Sequence, residues 1–585
     1  MRAGMSWIAH KMIRVAQYKM IRVIAIATAV HSLRCPPPVP RLTPLKATTL
    51  DKLDDASTAV LDDDVWNGAY READWEATYN SLPADALAEP TIVPVEGTVP
   101  ASLRGGVLYR CSPANFDRGG TRYKHVLDGD GFMLRVAFDP DGTKATVTGR
   151  YVETTPYVEE TDANEILYRN TFGTQPTGGP LRNAFTVTLK NVANTNVVSW
   201  GGRLLALWEA GAPHELDAVT LETRGEATDL CRGPPAGRKC TRGVTIDGGL
   251  IDEALGFGES FTAHPHVDGD RLVAFTWAQQ PQRGEMNLKF REINDDWTDA
   301  VPPVSHAMPD CALAPHDCGL TEHYHVVVEN RASIQMAPFV LGLKGRAQVL
   351  EIATKEGARC HLIPRAGSGR TEPVVVEIPP FFCIHVGDAW EDGDGRVHVI
   401  TSAWDLRDAT HFPPDTDTVP FLGAWSGPAP DFKRIPPSLL FETVVDPATG
   451  TLVSHENPRP VRGLCLEHPH VDGSGKVWAS LANDRGISSP PSGYACYDLK
   501  TGSVERWYAG PRKFCEELVV APKGGDDEGV WLLGMIYDAA TDATSVNVFD
   551  GDRISAGPVA VAPLPHAVPH GLHGCFQPRD GPMSA

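Results

Sequence analysis

The residues with the clearest potential for chemistry are histidines in four separated sequence phrases. The phrases are AHPHVD around His264, PHDCGLTEHYHVVVE around His316, FFCIHVGDAWED around His385 and VPHGLHG around His573. Imidazole is a good ligand for iron and other first-row transition metals. A single histidine near a strand end, however, is more often a hydrogen-bonded structural residue. Because the phrases lie far apart, only a fold that returns each chain section to one axis could bring the four side chains together.

A repeated hairpin phrase indicates such a fold. The run Phe261–Trp277 reads as a strand, a tight turn at Asp268-Gly269 and a second strand. A Gly-containing turn followed by an apolar strand occurs in WGGRLLALWE (200–209), VDGDRLVAFTW (267–277), EDGDGRVHVITSAW (391–404), VDGSGKVWASL (471–481) and DDEGVWLLGMIYD (526–538). The glycine markers are 67, 126, 78 and 56 residues apart, so the long interval equals about two of the others. Hairpins repeated at this period predict a β-propeller, whose inner strands line one axis.

The alternative to a true repeat is chance similarity among glycine-rich hairpins. Two copies, AHPHVDGDRLVAF at Ala263 and EHPHVDGSGKVWA at Glu467, match so closely that chance similarity explains them poorly.

Taken together, the phrases resemble those of the carotenoid cleavage dioxygenase family, also called the carotenoid oxygenase family. The resemblance runs from about Pro100 to Cys575. Further phrases that carry it, in family order, are LYRCSP (108–113), HVLDGDGF (125–132), GRYVET (149–154), ANTNVV (193–198) and ALWEAGAPHELDAVTLET (206–223).

The resemblance implies an all-β, seven-bladed β-propeller with helical loops capping the iron-bearing face. It implies that His264, His316, His385 and His573 bind one Fe(II), with O2 as co-substrate. The phrase after His385 has Asp388 where the family has Asn.

The resemblance also assigns residues around the metal. Glu209, Glu467 and Glu517 match glutamates that hold three of the histidines through the second ring nitrogen, an arrangement that fixes the imidazole tautomer. Glu516 is adjacent to Glu517 and could take its place. Thr195 matches a residue near the oxygen site. The alternative for the glutamates is ordinary surface carboxylates, which suits Glu209 poorly because it ends an apolar strand.

A competing metal site is zinc at His566, His570 and His573, spaced H-x3-H-x2-H. The neighbouring Pro565 and Pro569 argue against a helix, so this spacing does not place the side chains on one face. We expect iron at the four dispersed histidines instead.

The composition excludes several classes of protein. The 585-residue chain has a net charge of −21 at pH 7, which argues against nucleic acid as a partner. The twelve cysteines include no CxxC pair, so neither a zinc ribbon nor a thioredoxin-type site is indicated. Cys231 with Cys240 and Cys311 with Cys318 could form disulfides in a secreted protein, but we expect buried or idle thiols.

The N-terminal region differs from the rest of the chain. Residues 1–50 contain eight Lys and Arg but no Asp or Glu, which is typical of organelle transit peptides. The apolar run VIAIATAV (23–30) is too short to span a bilayer but could belong to a secretory signal. We therefore predict a targeting segment and linker over 1–50, an acidic surface segment over 51–95 and one propeller domain over 96–585. We predict a plastid location, with the secretory pathway or the cytoplasm as alternatives; a plain disordered extension is also open.

The function that the resemblance implies is oxidative cleavage of a conjugated double bond of a carotenoid or apocarotenoid into two carbonyl products. Alternatives on the same scaffold are a stilbene-cleaving oxygenase and a non-oxidative polyene isomerase. A non-catalytic propeller that binds lipids or partners is the alternative from another class. An apolar polyene could be drawn from a membrane by the run 336–349, MAPFVLGLKGRAQV, unless that run is buried.

Overall fold

The computed structural model describes residues 68–232, 241–246, 250–423, 427–524 and 527–579. The predicted targeting segment over 1–50, residues 51–67 of the predicted acidic segment, and Cys240 lie outside this range. No helix in the described ranges is long and apolar enough to cross a membrane.

Within these described ranges, seven antiparallel sheets of four or five strands make up the body of the protein. The first sheet contains β1 (Thr91–Pro94), β3 (Val107–Asn115), β6 (Asp130–Phe138), β7 (Lys144–Tyr151) and β38 (His573–Gln577). The second contains β8 (Asn196–Trp200), β9 (Arg203–Leu207), β10 (His214–Leu216) and β11 (Thr223–Glu226). The third contains β14 (Ser260–Phe261), β15 (His266–Asp268), β16 (Arg271–Gln280), β17 (Glu285–Ile293) and β18 (Val304–Pro309). The fourth contains β19 (Gly319–Leu320), β20 (Tyr324–Glu329), β23 (Ala358–Pro364) and β24 (Val374–Ile378).

The remaining three sheets follow in chain order. The fifth contains β25 (Phe381–Glu391), β26 (Val397–Asp405), β28 (Leu439–Asp446) and β29 (Thr451–Glu456). The sixth contains β30 (Leu466–Val471), β31 (Lys476–Leu481), β32 (Gly493–Asp498) and β33 (Val504–Tyr508). The seventh contains β2 (Glu96–Gly97), β34 (Lys513–Gly524), β35 (Asp527–Asp538), β36 (Ala543–Asp550) and β37 (Pro558–Pro563).

Short elements occupy the connections between these sheets. The small strands are β4 (Asp117–Arg118), β5 (Thr121–Arg122), β12 (Thr241–Arg242), β13 (Phe257–Gly258), β21 (Ala332–Ile334), β22 (Leu350–Ala353) and β27 (Thr418–Pro420). The α-helices are α1 (Glu72–Ala77), α2 (Thr155–Ala163), α3 (Pro180–Asn183), α4 (Leu250–Leu255) and α5 (Met336–Val340). The 3-10 turns are Ala101–Leu103, Val126–Asp128, Ala347–Val349, Phe421–Gly423, Arg459–Val461 and Ile554–Ala556.

Apolar clusters between neighbouring sheets close the seven sheets into a ring. Leu108 and Phe132 of the first sheet pack with Val519 and Leu533 of the seventh. One further cluster joins the first three sheets. Four more clusters each join one sheet to the next, from the third sheet through to the seventh. Each fully buried Leu, Val or Phe side chain contributes about 1.5–3 kcal/mol. The fold is therefore the predicted seven-bladed β-propeller, with each sheet as one blade.

The five repeated phrases are the inner hairpins of five blades, namely β8-β9, β15-β16, β25-β26, β30-β31 and β34-β35. The long interval between Gly269 and Gly395 contains the fourth blade, whose β19-β20 turn at Thr321 to His323 has no glycine. The first blade joins the C-terminal strand β38 to the N-terminal strand β3, so no contiguous hairpin marks it. Five phrases, one unmarked blade and one composite blade account for all seven.

The acidic N-terminal segment packs on the propeller through its aromatic residues. Trp75 and Tyr79, on and just after α1, are buried, and the Trp75 ring contacts the Phe432 and Phe514 rings at 5.4 and 5.3 Å. Asp74 accepts two hydrogen bonds from Arg512 at 2.7 and 2.8 Å. The segment therefore packs on the body through these aromatic side chains. Strand β1, which precedes the predicted domain start at residue 96, forms the edge of the first blade.

A charged group on the fifth blade predicts a pH dependence of stability. His398 lies between Glu442 at 2.9 Å and Asp392 at 3.2 Å. The hydrogen bond to Glu442 raises the pKa of His398; partial burial opposes this shift and Asp392 adds to it. The protonated His398 therefore stabilises the folded protein. This contribution to the free energy of unfolding is complete below the pKa of His398 in the unfolded chain, about 6.5. It is lost as pH rises through the higher pKa of His398 in the folded protein.

We therefore expect His398→Gln to lower the melting temperature more at pH 5.5 than at pH 8.5. Solvent screening limits the effect to about 1 kcal/mol or less. Calorimetric melting of the variant and the parent at both pH values measures it, and Glu442→Gln should act in the same direction. An equal deficit at the two pH values would contradict the assignment.

Candidate metal centre

Four blades deliver one histidine each to the axis of the propeller. His264 lies in the break between β14 and β15, two short strands that both pair with β16. His316 lies just before β19, His385 lies within β25 and His573 is the first residue of β38. Because these are the innermost strands of their blades, side chains far apart in sequence meet at one point.

The ring nitrogens of the four histidines converge. His264 Nε2 and His573 Nε2 are 3.1 Å apart, and His316 Nε2 and His385 Nε2 are 3.3 Å apart. All four possible ligand atoms lie within 4.8 Å of one another. Nitrogen atoms this close, each carrying a lone pair when unprotonated, repel one another unless a proton or a cation lies between them. The arrangement could hold one metal ion.

Three glutamates bind the opposite nitrogens of three of these rings. His316 Nδ1 donates to Glu209 at 2.5 Å, His385 Nδ1 donates to Glu467 at 2.7 Å, and His573 Nδ1 donates to Glu517 at 3.0 Å. With the proton on Nδ1, each Nε2 presents its lone pair to the centre. His264 Nδ1 is buried without a hydrogen-bond partner among the described residues.

The structure distinguishes the two adjacent glutamates of β34. Glu517 contacts His573, whereas Glu516 accepts a hydrogen bond from Arg110 at 2.9 Å. Arg110 Nη1 also lies 3.3 Å from Glu517. Arg110 is almost fully buried and so balances part of the negative charge of this pair.

Burial and neighbouring charges set the protonation of the cluster. Burial alone would raise the pKa of Glu209 and of Glu517, but the adjacent histidines outweigh it and hold both below their usual range. Burial, reinforced by the neighbouring imidazoles, holds the pKa of His264 well below its usual value. Ionised carboxylates and a neutral imidazole are the forms that metal binding requires.

An apolar cavity of about 490 Å³ leads to the cluster. His316, His385 and His573 line it, together with Glu209, Glu467 and Thr195. The exposed surfaces of Glu209 and Glu467 therefore face the cavity. Its apolar wall includes Trp75, Phe172, Trp208, Phe339, Phe382 and Phe432. The volume lies in the range of small-molecule sites, about 300–1,000 Å³.

The structure brings the four predicted histidines together and places the three predicted glutamates against them. Thr195 is on the cavity wall, and its hydroxyl lies 3.3 Å from Asn194 Oδ1. His385 joins the other histidines even though Asp388 departs from the family phrase.

The alternative zinc site and the Cys311–Cys318 disulfide receive no support. Within the described ranges, two groups of His, Cys, Asp and Glu side chains lie close enough together to hold a metal ion. Neither group contains His566 or His570. His570 instead packs its ring against Trp75 at 5.1 Å. Cys311 and Cys318 are buried thiols, and the pairing of Cys231 with Cys240 lies outside the described residues.

Sequence reasoning missed three residues around the centre. Asp317 accepts hydrogen bonds from the Cys318 and Val386 backbone amides at 2.7 and 2.9 Å and so fixes β25 next to His385. Arg110 pairs with the glutamates of β34. His468 lies on the cavity wall, with its ring 4.8 Å from that of His385. The phrases PHD and EHP contain Asp317 and His468, but only the structure shows their contacts.

The fold and the site define a class: a β-propeller whose axis carries a cluster of four histidines, three of them bound by glutamates, beside an apolar cavity. The family model described as "RPE65: Retinal pigment epithelial membrane protein" matches residues 83–578. The chain belongs to this family, the carotenoid oxygenases, and the predicted family and oxygenase class are confirmed.

Characterised relatives match over most of their length. An apocarotenoid-15,15'-oxygenase of Synechocystis sp. is 29% identical, over 87% of this chain and 97% of its own. A chloroplastic carotenoid cleavage dioxygenase 7 of Oryza sativa subsp. japonica is 26% identical, over 86% and 90%. An isoeugenol monooxygenase of Pseudomonas nitroreducens is 23% identical, over 85% and 97%. The crystal structure of cobalt-substituted Synechocystis ACO superposes with a TM-score of 0.73, at 26% identity over 87% and 99%.

The two adjacent glutamates of β34 provide a matched test of the centre. We expect Glu517→Gln to weaken Fe(II) binding about 10–100-fold, because partners of a metal-binding histidine typically have effects of that size. Glu516→Gln removes the same charge beside Arg110 but contacts none of the four histidines, so Fe(II) affinity should stay within about threefold of the parent. Anaerobic titration with Fe(II) measures both. Equal weakening in the two variants would show that the charge near Arg110, and not the contact with His573, controls binding.

Proposed function

We propose that the protein is an Fe(II)-dependent dioxygenase that cleaves a conjugated double bond of a carotenoid or apocarotenoid. Both atoms of O2 enter the products, so one C=C bond becomes two carbonyl groups. In this proposal His264, His316, His385 and His573 hold the iron, Glu209, Glu467 and Glu517 orient three of these ligands, and Thr195 borders the oxygen site.

The convergence of four imidazole nitrogens at the end of an apolar cavity carries the proposal. The donor set fits Fe(II), because imidazole suits this metal and the carboxylates fix the ligand tautomers. When bound, iron supplies the one-electron chemistry that lets O2 react with a closed-shell double bond. The relatives named as carotenoid and apocarotenoid oxygenases support the same reaction class.

The residues of the chain contribute binding, orientation and exclusion of water. The aromatic wall of the cavity holds an extended apolar substrate in contact with the cluster. The carboxylate partners keep the imidazole lone pairs directed at the metal throughout turnover. Cleavage into two carbonyls involves no net proton transfer, so no general base is required.

A phenylpropanoid or stilbene is the second candidate substrate, because one relative is an isoeugenol monooxygenase. Such substrates also present a conjugated double bond to the metal, but they are shorter and carry a phenol. A polyene isomerase on the same scaffold is a further alternative, which oxygen consumption and product analysis separate.

We also propose that the protein takes its substrate from a membrane surface. Leu181, Phe185, Leu341 and Leu343 are exposed, and Leu181 is fully so. The backbone amide of Phe185 donates to Val340 at 2.7 Å, so the two segments lie side by side. Nearby Phe339 lines the cavity. An exposed apolar patch next to an apolar cavity fits membrane contact.

The basic N-terminus and the chloroplastic relative support a plastid location.

Substrate assays with defined oxygen consumption test the reaction. We expect anaerobically purified, Fe(II)-loaded protein to consume one O2 for each pair of aldehydes formed from a carotenoid or apocarotenal. An oxygen electrode and mass spectrometry of the products, with ¹⁸O2 as label, measure both quantities. Cleavage of a hydroxystilbene alone would favour the second candidate, and turnover of a polyene without oxygen uptake would establish an isomerase.

The variant His264→Ala should bind Fe(II) at least about 100-fold more weakly and lose more than 99% of turnover, since it removes a direct ligand. Full iron content and full turnover in this variant would refute the ligand assignment. His455→Ala, which changes a histidine stacked on Phe441 away from the centre, should retain iron.

The membrane proposal predicts weaker binding when the patch becomes polar. We expect the double variant Leu181→Ser and Leu343→Ser to bind phosphatidylcholine vesicles about tenfold more weakly, because each leucine contributes part of the 1.5–3 kcal/mol of full burial. Vesicle co-sedimentation measures this, and turnover in detergent micelles should be unchanged. Val375→Ser, at an exposed apolar residue of β24, is the control. Equal vesicle binding by the double variant and the control would contradict membrane contact through this patch.

A further inference from the structure

A fifth histidine, His468, adjoins the centre and has no role in the function proposed above. Its ring lies 4.8 Å from that of His385 and 5.4 Å from that of His573. One of its ring nitrogens lies within 4.8 Å of possible ligand atoms of His385 and Glu467. It does not, however, fall within the group formed by the other four histidines. His468 is therefore a neighbour of the cluster and not one of its converging ligands.

The backbone is distorted where it presents His468. The β30-β31 pairing shifts register between Glu467 and His470, which marks a bulge. Within this bulge His468 has a φ of 52°, in the left-handed region. Residues other than glycine rarely adopt left-handed backbone angles, and those that do are concentrated at functional sites. Bulges often redirect a side chain near an active site. The bulge allows Glu467 to bind His385 while His468 lines the cavity.

The hydrogen bonds around Ser480 determine which nitrogen of His468 carries the proton. The Ser480 hydroxyl donates to the Glu467 carbonyl oxygen at 2.9 Å. Its single proton is used there, so it can only accept from His468 Nδ1, 3.4 Å away. A neutral His468 with its proton on Nδ1 has a lone pair on Nε2. Within the described residues, no protein group donates a hydrogen bond to that nitrogen.

We propose that His468 Nε2 accepts a hydrogen bond from a water molecule held on the cavity side of the metal. His316, His385 and His573 line the cavity, so this is the side on which water and substrate approach. His468 lines the same cavity. A water held there occupies the position that a small ligand such as O2 needs, so an apolar substrate must displace it first. His468 is thus a positioning residue that couples ligand binding at the metal to the presence of substrate, an inference that rests on the proposed function.

The test compares two variants in metal-loaded protein. His468→Phe keeps a ring of similar size but removes the acceptor, whereas His468→Gln restores an acceptor oxygen. We expect Fe(II) affinity in both to stay within about threefold of the parent, since the four converging imidazoles remain. Without substrate, nitric oxide should bind Fe(II) about tenfold more tightly in His468→Phe, because a hydrogen bond to a polarised water is lost. His468→Gln should resemble the parent.

Substrate provides the internal control for this experiment. When a saturating apocarotenal is present, all three proteins should bind nitric oxide equally, because the water is displaced in each. The visible spectrum of Co(II)-loaded protein gives a readout independent of turnover, and the band intensity should rise only in His468→Phe as the coordination number falls. Circular dichroism and melting temperature confirm that the variants fold.

Three results would overturn the inference. Unchanged nitric oxide affinity and an unchanged Co(II) spectrum in His468→Phe would show that His468 holds no water at the metal. Fe(II) binding weakened by about 100-fold would show that His468 is itself a ligand. A parent protein that binds no metal would refute both this inference and the proposed function, whereas the first two results leave the proposed function standing.

Discussion

The pairing of imidazole with carboxylate between different blades is the interaction on which the centre depends. Glu209 follows β9 of the second blade and binds His316, which precedes the fourth. Glu467 of the sixth blade binds His385 of the fifth. The third pair joins Glu517 of the seventh blade to His573 of the first. No pair lies within one blade, so the centre assembles only when the ring of blades is complete.

This arrangement links stability and chemistry. Burying Glu517 costs free energy that His573, His470 and Arg110 must offset, and removing one partner of a buried charge pair typically costs about 3–5 kcal/mol. The closure between the seventh and first blades therefore depends on apolar packing at its periphery and on charge pairing at the axis. A metal ion placed among the four imidazoles would relieve the close approach of their nitrogens and stabilise the same closure.

Much of the fold and site could be predicted, because both leave local signals in the chain. The five hairpin phrases mark blades by their turn glycines, as at Gly269 with φ of 61°, and the four clustered histidines stand in recognisable phrases. The fourth blade had no such signal, because its inner turn contains no glycine. His468 could not be placed, since its direction depends on a bulge that shifts the register of β30, and a one-residue shift reverses the face of a strand. Arg110 gave no signal because its partners lie 406 and 407 residues away.

The N-terminal segment shows why charge alone is a poor guide to where a segment lies. Its acidic residues suggested a surface segment, yet Trp75 and Tyr79 line the cavity and Trp75 donates a hydrogen bond to Pro430. Asp74 accepts two hydrogen bonds from Arg512, which fix α1 with its aromatic side chains pointing inward. Tyr79 and Trp75 also contact His570, three residues before His573. The segment therefore forms one wall of the space in which a polyene would lie, and its packing helps to define the volume available to the substrate.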